Sequence, residues 1–177
     1  MSEPDASILK DFQAESKTLV EKMTEILDKC EGDFAQVQSL AEFGQTVDRI
    51  MGAASTLAGS DSSMPTARIQ QIADCAAICK AVGYKASKIK GNETFYDICV
   101  ALLQDATEVL EHLVDGLTAK GESDLKSLFS QTLVDRLKWA SDQFGAEYSA
   151  TLDLHSGKST KMNQSDIDEL LKKLGLD

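Results

Sequence analysis

The sequence predicts an all-α protein. Two prolines and 11 glycines are few for 177 residues, and 42% of the residues are hydrophobic, which is enough to build a core. Apolar residues recur at helical spacing over long segments, whereas runs of aromatic or β-branched residues are scarce. These observations predict an up-and-down four-helix bundle with a fifth helix alongside, followed by a flexible linker and a C-terminal amphipathic helix.

The four helices of the bundle and the fifth helix alongside are predicted from local start and stop signals and from apolar periodicity. Pro4 stands near the start of the first helix and Gly32 lies past its end. Residues 83–91 contain three lysines and are predicted to form a short basic connection, after which Asn92 caps the next helix. The predicted helices run, in order, over Asp5–Cys30, Phe34–Ala58, Pro65–Val82, Asn92–Leu117 and Ser123–Phe144.

Charge and cysteine content restrict the partners and the compartment. The net charge is −11, and the segment from Lys158 onward is neutral, so the excess negative charge lies upstream. Neither a nucleic acid nor a membrane partner is expected. The N-terminus lacks the regions of a signal peptide and no apolar run reaches spanning length, which predicts a cytoplasmic protein. Four cysteines among apolar residues and two histidines predict reduced, buried thiols, with no metal site and no cofactor.

The most informative pattern lies in residues 165–177. Ser165 stands at an N-cap position with Asp168 three residues on, and Gly175 is a typical C-terminal stop. The apolar residues recur at i, i+3, i+4 and i+7, and so short a helix needs a groove for this stripe. One alternative is that the stripe packs onto its own chain. Residues 146–164, rich in Ser, Thr, Gly and Lys, are predicted to form a flexible linker, which favours docking on a partner.

The same segment carries a resemblance to known docking peptides. The run Gln-Ser-Asp-Ile-Asp-Glu-Leu-Leu, residues 164–171, resembles the terminal peptides by which the chemotaxis phosphatase CheZ and the motor switch protein FliM hold the response regulator CheY. The closing Leu-Leu-Lys-Lys-Leu-Gly-Leu is most similar to CheZ. The resemblance implies a CheY-like receiver domain as partner, with Mg²⁺ only on that receiver. The residues expected to bind it are Asp166, Ile167, Asp168, Leu170, Leu171, Leu174 and Leu176.

Residues 5–145 are similar in helix count and order to the histidine-phosphotransfer domain that begins the chemotaxis kinase CheA. The local match is Ala-Ser-Thr-Leu-Ala-Gly-Ser, residues 54–60, where that family carries Ala-His-Thr-Leu-Lys-Gly-Ser. Ser55 stands in place of the phosphorylated histidine and Ala58 in place of the lysine, while Gly59 is retained. A serine hydroxyl without a neighbouring base cannot replace the imidazole, so phosphotransfer is expected to be lost. The alternative is that this run is simply a close-packed helix end.

A phosphatase is the competing interpretation. In CheZ, an Asp and a Gln four residues later share one helix face, so that the amide positions the attacking water. No Asp or Glu in this sequence has Gln at i+4. The run Phe-Tyr-Asp-Ile-Cys-Val-Ala, residues 95–101, resembles the CheZ run but has Ala101 in place of the amide, which leaves Asp97 and Gln104 as a poorly spaced pair.

The sequence therefore predicts a receiver-binding, non-catalytic adaptor or sink. It consists of a degenerate phosphotransfer-like bundle over residues 5–145, the linker over residues 146–164 and a docking helix over residues 165–177. A divergent CheZ-like phosphatase with Asp97 and Gln104 is the alternative. A structural helical protein whose tail serves self-assembly is a third interpretation, and a homodimer is left open.

Overall fold

The computed structural model describes residues 3–60, 63–119, 125–152 and 165–176, and all regular structure in these ranges is helical. The predicted all-α class is therefore confirmed. The elements are α1 (Glu3–Cys30), a 3₁₀ turn (Phe34–Gln36), α2 (Ser39–Ala58), α3 (Thr66–Ala86), α4 (Glu93–Asp115), α5 (Leu125–Leu128), α6 (Gln131–Leu152) and α7 (Ser165–Lys173).

Helices α1 to α4 pack in a ring, because α1 and α3 each contact both α2 and α4. Their apolar faces form one core, which includes all four cysteines as buried side chains, as predicted. Helix α7 packs on α3 and α6, and α6 in turn contacts α4. No helix in the described part of the chain is long and apolar enough to cross a membrane.

The junction between α1 and α2 shows why the second helix starts later than predicted. Gly32 adopts a φ of 68° after α1, and the Asp33 carboxylate accepts a hydrogen bond from the Ala35 amide at 3.1 Å, which starts a 3₁₀ turn. The Tyr96 hydroxyl of α4 lies 2.7 Å from the carbonyl oxygen of Cys30 and 2.9 Å from that of Asp33. These contacts hold the turn in place, so α2 begins only at Ser39.

The end of α3 corrects another predicted boundary. Residues 83–91 were predicted as a connection, but α3 continues to Ala86. Gly83 is buried inside the helix, where a Cβ would lie 2.8 Å from Cδ1 of Phe43 on α2. The glycine therefore permits close packing of the two helices and does not mark a stop. The cap of α4 is as predicted, since the Asn92 side chain accepts a hydrogen bond from the Phe95 amide at 3.1 Å.

The predicted fifth helix is two helices in the structure. Helix α5 ends at Leu128, and the Ser130 hydroxyl accepts a hydrogen bond from the Leu133 amide at 3.1 Å at the start of α6. This capping interaction was not anticipated, and the predicted cap at Ser123 lies outside the described residues. Helix α6 runs to Leu152, so residues 146–152, predicted as linker, are helical. Residues 153–164 also lie outside the described part of the chain.

Candidate functional site

Helix α7 has its C-terminal end closed by its own backbone. The Gly175 amide donates to the Lys172 carbonyl and the Leu176 amide to the Leu171 carbonyl, both at 2.9 Å, and Gly175 has a φ of 74°. This hydrogen-bond pair is the Schellman arrangement, in which a glycine in the left-handed region ends a helix. The stop predicted at Gly175 is confirmed, and the helix ends without help from another element.

The apolar side of α7 lies in a groove formed by its own chain. Ile167 and Leu171 have no exposed surface, Leu174 is 9% exposed and Leu176 is 6% exposed. Helices α3 and α6 make the main contacts with α7. The apolar stripe of α7 therefore occupies a groove, as predicted, but the groove belongs to the same chain. The sequence favoured a groove on a partner, which is not what the structure shows.

Leu170 lies at one flank of this interface. It is half-buried and lines a cleft of about 280 Å³ together with Glu169 and Lys173 of α7. The opposite wall belongs to α2 and α3, so α7 lies close to both helices at this flank. The residues of that wall are Met51, Ala77, Lys80 and Ala81.

The other flank of α7 brings opposite charges together. Asp168 and Lys172 of α7 line a cleft of about 420 Å³ with Lys138 and Asp142 of α6. Each helix therefore contributes one acid and one base to the same cleft. Exposed charges of opposite sign contribute little stability, so this flank adds little to the apolar burial.

The residues predicted to bind a partner thus fall into three groups. The fully or almost fully buried group packs on the chain itself. Leu170 and Asp168 are half-buried at the two flanks. The side chain of Asp166 lies outside the described residues. The buried group consists of Ile167, Leu171, Leu174 and Leu176.

The position that resembles the phosphotransfer histidine is accessible. Ser55 is exposed near the end of α2, and its carbonyl accepts a hydrogen bond from the Gly59 amide at 3.2 Å. Gly59 is the C-cap of α2, and Ala58 before it is half-buried. Met51 lies four residues before Ser55, hence on the same side of the helix, and it lines the cleft beside α7. Ser55 therefore lies about one helical turn along α2 from a residue that lines the α7 groove.

The pair proposed for the phosphatase alternative is not brought together. Asp97 is exposed on α4, and so is Ala101, which stands where an amide would be needed. Gln104 is half-buried, and its amide nitrogen donates to a Glu31 carboxylate oxygen at 3.4 Å. The amide of Gln104 is thus directed to the end of α1, and the Asp97 carboxylate has no amide one turn away.

Sequence reasoning missed the wall formed by Met51, Ala77 and Ala81. The sequence of α3 contains a signal for this wall, because small or apolar side chains occur around the whole helix. In the structure, 13 residues of α3 are buried. A helix that is hydrophobic on all sides is a buried helix. It needs neighbours on more sides than α2 and α4 provide, and α7 supplies one of them.

Comparison with known proteins gave no match: no family model, no curated protein and no solved structure matches this chain.

Proposed function

We propose that this protein binds a CheY-like receiver domain through α7 and acts as a non-catalytic adaptor or sink in chemotaxis signalling. The observation that carries the proposal is the construction of α7, a short helix with its own C-terminal closure and one apolar side. A helix of this kind binds by laying its apolar side in a groove, which is a common mode of peptide recognition. The resemblance of residues 164–171 to CheY-binding peptides supports a CheY-like receiver as the partner class.

The second part of the proposal concerns the body of the protein. Helices α1 to α4 form a degenerate phosphotransfer-type bundle with up-and-down connections. Their packing as a closed ring supports this arrangement. The exposure of Ser55 also supports it, because a phosphotransfer histidine at that position would have to reach a receiver's active site. Serine there cannot act as the imidazole does, so this surface contacts the receiver without accepting phosphate.

The geometry favours an adaptor over a phosphatase. Hydrolysis of an acyl phosphate is accelerated when a side chain orients the attacking water, and orientation of this kind can contribute orders of magnitude to the rate. Asp97 and Gln104 lie seven residues apart, about 10 Å along the helix axis. The Gln104 amide is also engaged with Glu31. We therefore expect the full chain to leave the dephosphorylation rate of a phosphorylated CheY receiver within about threefold of its spontaneous value.

The proposal is tested by titrating a purified CheY receiver, unmodified and bound to beryllofluoride, with the full chain and with a chain that ends at Gln164. Binding should be detected for the full chain and lost for the shorter one, while circular dichroism should show that α1 to α6 remain helical. Leu170→Ala, at a half-buried position, should weaken binding by about 1–3 kcal/mol. Equal binding by both chains would exclude α7 as the docking element. A hundredfold acceleration of dephosphorylation that is lost in Asp97→Ala would instead favour the phosphatase.

A further inference from the structure

The apolar side of α7 cannot contact two partners at once. Ile167 and Leu171 have no exposed surface in the observed arrangement, and Leu174 and Leu176 are almost fully covered. A receiver that uses these side chains must therefore displace them from α3 and α6. On the basis of the proposed function, we infer that the observed docking of α7 is a closed state, and that release of α7 controls access of the receiver.

The closed state has the features of a specific interface. Its two central side chains are as deeply buried as the core of the bundle, and Leu176 beyond the helix end is buried as well. On the α6 flank, Asp168 shares a cleft with Lys138. On the α3 flank, Glu169 shares a cleft with Lys80, which also pairs with Asp48 at 2.6 Å. Apolar burial supplies the stability of this arrangement.

Release of α7 would also expose the neighbouring surface of α2. Met51 lines the cleft under α7, and Ser55 lies one turn further along the same side of α2. The two surfaces proposed to contact a receiver, the apolar side of α7 and the region around Ser55, are therefore adjacent in the closed state. A receiver held by the released helix is kept near the α2 surface, which raises its local concentration there.

This competition has a quantitative consequence. The apparent dissociation constant equals the intrinsic one divided by the fraction of molecules in the open state. A substitution in the groove that leaves α7 unchanged should therefore tighten receiver binding, since it raises only the open fraction. A substitution that damages a binding surface has the opposite effect, so the sign of the change separates the two roles.

The test uses substitutions on the groove side of each flank. Ala77→Glu places a larger, charged side chain in the cleft that Leu170 lines on the α3 flank, and Lys138→Glu removes the base that shares a cleft with Asp168 on the α6 flank. Lys138 is half-buried at the edge of a cleft and does not belong to the hydrophobic core, so this second variant leaves the core side chains unchanged. Ala14→Glu, at an exposed position of α1 outside both clefts, is the matched control.

Affinity of the full chain for a beryllofluoride-bound CheY receiver is measured together with amide hydrogen exchange in residues 165–176. Both groove variants should bind about fivefold or more tightly than the unaltered chain and exchange faster in α7, whereas Ala14→Glu should change neither property. Faster exchange in α7 with unchanged receiver affinity would overturn the closed state and leave the proposed function standing. Faster exchange without any receiver binding would overturn the proposed function instead.

Discussion

The Cδ1 atom of Phe43 lies 2.8 Å from the point that a Cβ on Gly83 would occupy. The contact is reciprocal, because a Cβ on Gly44, next to Phe43, would lie 3.0 Å from the ring of Tyr84, next to Gly83. Each helix thus presents a glycine to an aromatic ring of the other. This pair of contacts allows α2 and α3 to pack more closely than helices with side chains at these positions could.

Gly83→Ala is expected to destabilise the protein. Its Cβ would push the Phe43 ring within a packed core, which costs about 1–3 kcal/mol and outweighs the gain in helix propensity of up to about 1 kcal/mol. Gly52→Ala is the matched control, because a Cβ there meets nothing within 4 Å and should stabilise α2 by about 0.5–1 kcal/mol. Urea unfolding of both variants checks the difference, and a stabilised Gly83→Ala would refute the packing role of this glycine.

Leu171→Ala should weaken the docking of α7 more than Leu170→Ala does. Leu171 is fully buried, and removing such a side chain costs about 2–5 kcal/mol where the surroundings cannot collapse, whereas Leu170 is only half-buried. The loss of global stability is limited by the free energy of α7 docking, since α7 can detach before the bundle unfolds. Hydrogen exchange in residues 165–176 measures the free energy of α7 docking, and urea unfolding of the whole chain measures global stability. Equal effects of both substitutions would contradict the observed burial.

Stability should fall as the pH rises above the range of an ordinary thiol. A hydrogen bond with Cys79, followed by burial, raises the pKa of the Cys75 thiol well above its usual value, and burial raises the pKa of Cys30 and of the Tyr96 hydroxyl. Unfolded thiols ionise near pH 8.5, where the folded protein still holds these protons. The unfolded chain then binds fewer protons, so the free energy of unfolding decreases with pH. The contribution of these three groups to the free energy of unfolding is complete below about pH 8 and is lost progressively above it.

The control for this pH dependence is Cys75→Ala. The substitution removes one of the titrating groups, so the slope between about pH 8 and 10 should become shallower by on the order of 1 kcal/mol per pH unit. Urea unfolding at a series of pH values measures this slope, and a constant offset from the altered packing does not affect it. An unchanged slope would show that Cys75 keeps its ordinary pKa in the folded protein.

Ser55→His tests whether the bundle is a phosphotransfer domain that has lost its nucleophile. The unaltered chain should take no acid-labile phosphate from a chemotaxis kinase or from a phosphorylated receiver. Ser55 is exposed, so histidine at this position should leave the stability within about 0.5 kcal/mol. Label in Ser55→His, and none in the unaltered chain, would support the resemblance. His112 is an exposed histidine near the end of α4, and label on it in the unaltered chain would contradict the assignment of Ser55.

Features governed by neighbouring residues could be predicted from the sequence. The all-α class, the cap at Asn92 and the stop at Gly175 depend on periodicity or on groups within a few residues, and each agrees with the structure. Gly83 looks like the same kind of stop as Gly175. What distinguishes it is the Phe43 ring, which lies 40 positions earlier in the chain and which no local pattern reveals.

The candidate site shows the same limit. The apolar stripe of α7 predicts that the helix needs a groove, but the stripe carries no information on which groove it occupies. The cleft beside α7 is lined by Ala77 and Ala81 of α3. Local periodicity assigns this helix only to the bundle core and does not indicate that it also packs against α7. Whether α7 occupies the groove on its own chain or a groove on a partner depends on the difference in binding free energy between the two. The spacing of apolar residues in the sequence does not give that difference.

The last turn of α4 and the residues that follow it are bound by side chains from two other helices. The Gln13 amide donates to the Val114 carbonyl at 2.8 Å, and the Arg68 guanidinium donates to the carbonyls of Gly116, at 2.8 Å, and Ala119. Gln13 and Val114 are separated by 101 positions, so this contact closes a long loop and is entropically costly to form early. The final turn of α4 should therefore become ordered late in folding, after α1 and α3 are in place. Substitutions of Gln13 or Arg68 should accordingly accelerate unfolding more than they slow refolding.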